Sequence, residues 1–474
     1  MDSPAVNDFL VKERPGKLMA KYAVPCVISL LVAALYNIVD QIFIANADYL
    51  GSYGNAANTV VFPLTVFALA FAVMIGDGAC AYVSQCLGGG RNRESANTVG
   101  IAVILSLAVG AVVTAAYLVF ADPVILFFGG GVNPETHAFA GEYFFWISVG
   151  MPFYIFGQAM NPIIRSDGSP RFALAATVAG AVTNLILDPI FIYPLHMGMT
   201  GAAVATVAGQ VLTAALSLWY LGHMKAVRIT RDSFAFDGGI TVRFLRLGVT
   251  SFLAQAALVV SMAAVQNTCA KYGALDPVFG LEEYSQIPLA VLGIVMKFFQ
   301  IAISVSIGMA AGCIPVVGYN IGAGRKDRAR TLFTYLLISE AVLGFAALLV
   351  VELLPRQLIG VFGASGESAY YTEFGVKCFR TYLCMMPLAT VNKGTFIYLQ
   401  GLGRPVESTL ISLVREVVLG VALPILTPLA LGLDGLLWSF PAADIITFAT
   451  AAVIIAGTYR RLSKETTEAI NEPA

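Results

Sequence analysis

Apolar segments separated by short polar turns run along the whole chain. Each holds about 20 residues or more, the length that an α-helix needs to cross a bilayer, whereas transmembrane β-strands show about 10 residues of alternating pattern. The pattern predicts an all-α polytopic membrane protein with twelve transmembrane helices. We expect these spans at residues 18–45, 58–87, 98–120, 139–160, 172–194, 199–221, 244–270, 287–317, 331–353, 378–399, 407–430 and 435–457.

The composition agrees with this class. Of the 474 residues, 58% are hydrophobic and 12% are charged, and the mean hydropathy is +0.79; an ordinary soluble domain carries about 25% charged residues. The seven cysteines are scattered without a CxxC pair, which argues against a disulfide framework or a zinc site. The polar amino terminus contains both signs of charge, so we expect no cleaved signal peptide and a retained first span.

Energy-coupling and catalytic motifs are missing from the sequence. It contains neither a Walker-type phosphate-binding loop nor a catalytic constellation, and its histidines have no metal-ligand spacing. We therefore expect a protein that is not an enzyme, has no cofactor and binds no nucleic acid. An ion gradient or partner chains must supply its energy.

Lysine and arginine are distributed unevenly between the predicted loops. Alternate loops and both ends of the chain hold 21 of the 28 basic residues, with Arg246 counted in the linker, whereas the opposite set holds only Lys271 and Arg356 outside spans and their edges. Because basic loops stay in the cytoplasm, both termini are predicted to be cytoplasmic. The expected location is the plasma, or inner, membrane.

The two halves of the sequence are related by an internal repeat. Three pairs of stretches match at an offset of 234 or 235 residues: 87–96 with 321–330, 125–130 with 359–364, and 168–176 with 403–411. Two copies with an even number of spans share one orientation in the membrane. We therefore predict two parallel six-helix lobes, residues 1–221 and 244–474, related by a pseudo-two-fold axis along the membrane normal and joined by a cytoplasmic linker at 222–243.

Two aspartates in the first half are the main functional candidates, since ionisable residues inside spans are costly and rare. Asp40, in "LYNIVDQIF", shares a helical face with Asn37 and Tyr36, and Asn184 lies four residues before Asp188. Burial disfavours the charged form of a carboxyl group, so such residues can load and release protons. Carboxylate, amide and hydroxyl oxygens also suit Na⁺, so the residue types leave the ion open.

Structural alternatives exist for some of these residues. Asp188 precedes Pro189 and could cap a new helical segment, because Asp favours the N-cap and proline favours the first helical position. Asp77 lies between two glycines in "IGDGACAY" and could mark either a close helix contact or a group facing a cavity.

The second half carries charges of both signs within its spans. These are Lys297, Glu340, Lys393, Arg415, Glu416 and Asp444. Opposite charges on different helices of one lobe favour structural ion pairs over substrate ligands. In the repeat alignment, Asp188 falls opposite Leu423, so we expect the carboxylate site in the amino-terminal lobe alone.

The chain resembles the multidrug and toxic compound extrusion (MATE) transporters over essentially its whole length. The resemblance is carried by "IIRSDGSPRFALAATVAGAV", "TNLILDPIFI", "GMTGAAVATVAGQ" and the "YNxxD" of the first span. The "GDGA" of span 2 and the aspartates of the first half are most similar to the MepA-like and DinF-like branch.

The resemblance implies roles for individual residues. Asp40, Asn184, Asp188 and Thr206 correspond to a network that responds to H⁺ or Na⁺, with Tyr36 and Asn161 beside it. Pro25 corresponds to a proline at which the first span of related proteins bends, and Pro189 is a second candidate for a helix irregularity. Residues that we assign to a substrate cavity are Asn37, Asp77, Lys297 and Lys393. The family's other branch uses acidic residues of the carboxyl-terminal lobe to bind sodium. Because this chain has Lys297 and Lys393 in spans 8 and 10 of that lobe, we do not expect a sodium site of this type in it.

We therefore predict a monomeric, cation-coupled antiporter that exports amphipathic, cationic organic compounds by alternating access. The alternative is a flippase for lipids or lipid-linked precursors, which would resemble it in its lobes but carry a basic cavity. A channel or receptor would not need paired carboxylates in one lobe.

Overall fold

The computed structural model describes residues 9–45, 47, 50–128, 134–281, 284, 287–361 and 369–471. Within these ranges every regular element is a helix, as expected for backbone in a bilayer, where each N–H and C=O group must be satisfied inside its own segment. In the first half the helices are α1 (Phe9–Lys12), α2 (Pro15–Ala45), α3 (Gly51–Gly88), α4 (Asn92–Val119), α5 (Ala121–Phe127), α6 (Pro134–Ser166), α7 (Pro170–Ile192) and α8 (Gly198–Leu221).

The second half continues in the same way after a short 3₁₀ turn at Arg231–Phe234. Its helices are α9 (Gly238–Gly273), α10 (Ile287–Gly322), α11 (Lys326–Leu353), α12 (Pro355–Val361), α13 (Ala369–Tyr382), α14 (Met386–Gly401), α15 (Pro405–Ser412) and α16 (Gly420–Asn471). A π-helical segment, Leu413–Leu419, joins α15 to α16.

Nine helices in the described part of the chain are long and apolar enough to cross a membrane. The last of them, Pro405–Ser463, is interrupted at Gly432, whose backbone has φ 59° and ψ −141°. Only glycine adopts such angles at little cost, so this position separates two helical segments near the expected boundary of spans 11 and 12. Predicted spans 4 and 10 correspond to α6 and to the α13–α14 pair, which lie outside the nine.

The predicted span at 378–399 is broken. Helix α13 ends at Tyr382 and α14 begins at Met386. Pro387 occupies the second position of α14, where a missing N–H group is tolerated because the first N–H groups of a helix have no intrahelical partner. Hydrophobicity alone did not reveal this break.

The described residues form two compact units that do not coincide with the two repeats. The first unit comprises Met1–Gln255, Ala311–Arg325 and Gln400–Pro405. The second comprises Ala256–Ala310, Lys326–Leu399 and Val406–Ala474. Each has its own buried apolar core, with Ile147 and Met151 of α6 in the first and Phe379 and Tyr382 of α13 in the second.

Inside the first unit, glycines bring helices from the two sequence halves into backbone contact. A Cβ atom on Gly78 of α3 would lie 2.2 Å from the carbonyl oxygen of Phe244, and one on Gly248 of α9 would lie 1.8 Å from that of Met74. No larger residue fits at either position without moving a helix. Small residues serve this purpose in membrane proteins, where close backbone approach drives helix association.

A buried carboxylate fixes the start of the predicted linker. Asp167, between α6 and α7, accepts hydrogen bonds from the backbone N–H groups of Lys225, Ala226 and Val227 at 2.7 to 2.9 Å and from the hydroxyl group of Tyr220 at 2.8 Å. The chain leaving α8 is therefore tied to the end of α6.

Candidate functional site

The carboxyl groups of Asp40 on α2 and Asp188 on α7 lie close enough to interact directly. Their side chains are buried, with 6% and 1% of the residue exposed. Two ionised carboxylates repel each other and each can only accept a hydrogen bond, so a proton on one of them would turn this repulsion into a hydrogen bond. The pair is therefore built to hold a single proton or another small cation between two acids.

Amide groups complete the hydrogen bonding of this pair. The Nδ2 atom of Asn58 on α3 donates to Oδ2 of Asp40 at 3.4 Å. The Nδ2 atom of Asn184 donates to Oδ2 of Asp188 at 3.1 Å and to Oγ1 of Thr206 on α8 at 3.2 Å. Among the described donors none reaches Oδ1 of either aspartate, so the amides satisfy only one oxygen of each acid.

The helical register explains the geometry at Asp188. Asn184 and Asp188 are separated by four residues on α7, so both point from one face of the helix. The helix continues through Asp188 and Pro189 to Ile192, so the alternative in which Asp188 caps a new helix is wrong. Because proline has no N–H group, Pro189 cannot donate to the carbonyl oxygen of Leu185.

A cleft in the first unit opens against the other side of Asn184 and Thr206. It contains about 560 Å³ of empty space. None of the described residues that line it is charged. Its lining combines apolar and aromatic groups with amides and hydroxyls: Ala33, Phe153, Tyr154, Gly157, Gln158, Asn161, Thr177, Gly180, Ala181, Asn184, Thr206, Gly209, Gln210 and Thr213. Asn184 and Thr206 thus belong both to the aspartate network and to the cleft wall.

Asn161 lines the cleft but is hydrogen bonded away from the aspartates. Its Nδ2 atom donates to the carbonyl oxygen of Ala173 at 3.1 Å and to Oγ1 of Thr177 at 3.0 Å. Its Oδ1 atom accepts from the buried guanidinium of Arg165 at 3.0 Å. The structure therefore brings Asn161 to the wall of the cleft rather than to the carboxyl pair.

Asp77 belongs to a separate polar cluster of the first unit. Its Oδ2 atom accepts a hydrogen bond from the hydroxyl group of Ser251 on α9 at 2.9 Å, and the charge of Arg165 acts on it. Gln400 continues the cluster, since its Nε2 atom donates to Oγ of Ser251 at 3.3 Å. Asp77 therefore joins helices of the two sequence halves, and the sequence pattern did not indicate these partners.

The second unit contains a chain of buried ion pairs. Lys393 on α14 contacts Glu416 at 3.0 Å, and Arg415 contacts both Glu416, at 3.2 Å, and Asp444 on α16, at 3.1 Å. Arg415 and Glu416 lie in the π-helical segment, and such segments occur frequently at functional sites. The guanidinium of Arg415 also lies over the ring of Phe440, 5.4 Å from its centroid.

These contacts agree with the structural ion pairs that the sequence favoured for Lys393, Arg415, Glu416 and Asp444. Lys297 lies half-buried on α10, two residues before Phe299, another ring that faces Arg415. Both lysines assigned to a substrate cavity are therefore in the second unit, whereas the cleft described above is in the first.

Three further predictions concern helix α2. Pro25 is buried within α2, which is helical on both sides of it. Tyr36 and Asn37 also lie on α2, but their side chains are outside the described part of the structure. Their contacts with Asp40 stay predictions.

Asn58 and Arg165 are polar residues of this region that the sequence did not single out. Asn58 was overlooked because it stands at the expected edge of span 2, where a polar residue needs no explanation. Arg165 was assigned to a cytoplasmic loop, whereas it lies in the last turn of α6 and is buried. The sequence signal that could have placed Arg165 inside the helix is its position directly after an apolar stretch.

A comparison with protein families identifies the class of protein. The family model described as MatE matches residues 25–190 and 272–426, about two thirds of the chain. The protein is therefore a multi-pass membrane transporter and not an enzyme. It belongs to the MATE family of multidrug export transporters, as its motifs predicted.

Individual relatives extend this similarity to nearly the whole chain. The multidrug export protein MepA of Staphylococcus aureus (strain MSSA476) is 22% identical over 455 residues, 96% of each chain. The MATE multidrug transporter DinF-BH, solved as a complex, matches with a TM-score of 0.86 and 26% identity, over 96% of this chain and 98% of that one. An outward-facing MATE family transporter matches with a TM-score of 0.87 and 24% identity, over 98% and 99%.

Proposed function

We propose that the protein is a proton-coupled antiporter that exports amphipathic, cationic organic compounds by alternating access. The observation that carries the proposal is the close approach of the buried carboxyl groups of Asp40 and Asp188, together with the hydrogen bonds that link Asp188 through Asn184 to Thr206 and the cleft wall. The ion and the exported compound can thereby act on one shared group of side chains.

The coupling follows from competition for the hydrogen bonds of Asn184. While Asp188 holds a proton or shares one with Asp40, Asn184 stays directed to Asp188 and Thr206. Loss of the proton leaves two buried negative charges, which repel each other and attract a cation in the adjacent cleft. Proton and cationic drug therefore bias the same equilibrium in opposite directions, which is the requirement for exchange.

The residue types alone are compatible with either H⁺ or Na⁺ as the coupling ion. The close approach of the two acids favours H⁺, because a proton on either acid can be shared with the other through a hydrogen bond. A Na⁺ ion would be held by oxygen atoms of Asp40, Asn184, Asp188 and Thr206, residues that now hydrogen bond to one another. We take H⁺ as the coupling ion, with Na⁺ as the alternative for the test below.

The cleft accounts for broad selectivity. Ligand sites in proteins combine apolar surface for affinity with a few polar groups for orientation, and the lining of this cleft has the same composition. Phe153 and Tyr154 provide aromatic surface, and Oε1 of Gln210 is buried without a described donor, so it can accept from a ligand. The missing basic lining disfavours a flippase for lipid-linked phosphates, which would need cationic groups to bind its cargo.

The proposal includes the membrane arrangement expected from the sequence. Twelve spans form two parallel six-helix lobes, residues 1–221 and 244–474, joined by the linker at 222–243, with both termini in the cytoplasm of a plasma membrane. We take the transporter to work as a monomer in contact with membrane lipid. Bending of α2 at Pro25 would move Asp40 relative to Asp188 and open the pair to one side of the membrane.

The test is transport by purified protein in vesicles with each gradient imposed separately. Ethidium, a planar organic cation with its own fluorescence, serves as the substrate because it matches an apolar, aromatic cleft beside buried acids. We expect a pH gradient to drive ethidium accumulation and a sodium gradient of equal size to leave it unchanged. Ethidium accumulation driven by the sodium gradient alone would identify Na⁺ as the coupling ion. Accumulation with neither gradient imposed would contradict the proposed antiport mechanism.

A further inference from the structure

Glu340 is a buried acid of the second unit that lies outside the ion pairs described above. It occurs in the apolar stretch "TYLLISEAVLGF" of α11, and none of its surface is exposed. The other acids buried in this unit, Glu416 and Asp444, contact Lys393 or Arg415. Glu340 has no such partner among the described residues.

Two glycines allow α11 and α14 to pack closely around Glu340. A Cβ atom on Gly394 would lie 2.7 Å from Cγ and 2.9 Å from Oε1 of Glu340. One turn further along α11, a Cβ atom on Gly344 would lie 2.4 Å from Cα of Pro387. The two helices are therefore in direct contact on both sides of the carboxyl group, and no water fits between them at these points.

The surroundings of the carboxyl group do not satisfy its hydrogen-bonding capacity. Neither Oε1 nor Oε2 has a hydrogen bond of acceptable geometry from the described residues, although the hydroxyl group of Ser306 on α10 lies close enough to interact. The hydroxyl group of Thr390 is directed to the backbone carbonyl oxygen of Glu340 at 2.7 Å, not to its side chain.

Charged groups on the neighbouring helices are engaged elsewhere. On α14, Lys393 pairs with Glu416. Asp444 of α16 pairs with Arg415, and Arg380 of α13 pairs with the exposed Glu352 at the far end of α11. Lys297 on α10 lies nine residues, about two and a half helical turns, before Ser306.

An ionised carboxylate in this position would have neither a counter-charge nor sufficient donors, so Glu340 is protonated in this arrangement of helices. The protonated form is also incompletely satisfied, because neither carboxyl oxygen has a hydrogen bond from the described residues and the hydroxyl group of Ser306 donates to the carbonyl oxygen of Thr390 at 3.4 Å. Water can solvate the ionised form and hydrogen bond to the protonated form only after α11 and α14 separate. Proton release from Glu340 and opening of this helix contact are therefore linked.

We propose that Glu340 is a second proton-binding group of the transport cycle, protonated while α11 and α14 are in contact and deprotonated when they separate. This proposal rests on the proposed antiport function and adds a site in the half of the chain where the sequence predicted none. In the repeat alignment the Asp40–Asp188 pair has no counterpart in the second half, so Glu340 is a new element and not a copy of that pair.

The test compares E340Q with E352Q in vesicles. E352Q is the matched control, because Glu352 lies on the same helix with an exposed side chain. With the membrane potential clamped at zero, the slope of the logarithm of the ethidium accumulation ratio against the imposed pH difference reports the number of protons exchanged per ethidium. We expect E340Q to lower this slope by about one proton and E352Q to leave it at the wild-type value.

An unchanged slope in E340Q would overturn the proposal and leave Glu340 a structural residue. A wild-type slope of zero would instead contradict the proposed function, whatever E340Q does. If E340Q does not fold or transports nothing, labelling of the wild-type protein decides. Dicyclohexylcarbodiimide modifies protonated carboxyl groups in apolar surroundings, so we expect an adduct at Glu340 that decreases as pH rises. No adduct, or an adduct independent of pH, would contradict a titrating Glu340.

Discussion

Asp40 and Asp188 are separated by about 150 residues of sequence, yet their buried carboxyl groups lie close enough to interact directly. In the proposed mechanism a single proton binds at a position made by two elements, α2 and α7. Any motion that separates these helices divides the pair and changes its affinity for the proton. This relationship gives the transporter a physical connection between ion binding and helix movement.

Replacement of Asp188 by Asn should uncouple transport from the pH gradient. Coupling between two ligands usually corresponds to a factor of about 5 to 150 in affinity, so we expect ethidium accumulation in D188N to fall by a factor in that range. Vesicle transport under a fixed pH gradient measures it. The matched control is D122N, which removes an acid on α5, outside the described site; equal losses in both variants would contradict a specific role for Asp188.

Asn184 should act through Asp188 rather than independently. N184A removes the donor to Asp188 and Thr206, and we expect a loss of coupling by about tenfold, within the usual range for linked sites. Because the two residues belong to one network, the double variant N184A/D188N should be no worse than D188N alone. Additive losses measured in the same transport assay would show that Asn184 has a separate function.

The ion-pair chain of the second unit should be important for stability. E416A removes the buried acid shared by the partly buried Lys393 and Arg415, and breaking a buried pair costs about 3 to 5 kcal/mol. Thermal unfolding of purified protein in detergent measures the loss. D434A, which breaks the half-exposed pair of Asp434 with Lys377, should cost about 1 kcal/mol or less. Similar effects from both variants would argue against a buried network.

Gly78 should be needed for the close contact between α3 and α9. G78A places a Cβ atom 2.2 Å from the carbonyl oxygen of Phe244, so the helices must move apart. Cys80, two residues along and fully buried, should then react faster with a maleimide than in the wild-type protein. G141A is the control, because nothing lies within 4 Å of a Cβ atom there. Unchanged reactivity of Cys80 in G78A would mean that the contact adapts without opening.

Loss of Asp167 should free the start of the linker. D167A leaves three backbone N–H groups without their acceptor, at a cost of about 1 to 3 kcal/mol for each that stays buried. Limited proteolysis between Lys225 and Arg231 should become faster. In the control variant D237N, which changes an exposed acid of the same linker, the protease should cut at the wild-type rate. Equal cleavage rates in D167A and the wild-type protein would contradict this anchoring role.

Some of the contacts among the candidate residues could be predicted from the sequence, for identifiable reasons. Asp188 and Asn184 are four residues apart on one helix, so their hydrogen bond follows from helical periodicity. Thr206 was reached through family resemblance, and the structure brings it to Asn184. The contact of Asn58 with Asp40 could not be predicted, because it depends on how two helices pack rather than on spacing within one.

The fold shows the same division. Long apolar runs predicted the helices, since hydrophobicity determines which segments enter a bilayer. The break before Met386, the π-helical segment around Arg415 and the backbone of Gly432 depend on local packing and on single residues within runs that are apolar throughout. The sequence shows Glu340 as a charged residue in an apolar stretch. Only the structure shows that Gly394 packs against its side chain and that no described residue forms an ion pair with it.

Proton release on substrate binding tests the central claim most directly. Purified wild-type protein in weakly buffered detergent solution is mixed with ethidium, and a pH indicator follows the proton concentration. If Asp40 and Asp188 hold the proton that the exported compound displaces, wild-type protein releases protons on ethidium addition while D188N binds ethidium and releases fewer. Equal proton release from D188N and the wild-type protein at matched ethidium occupancy would contradict the account.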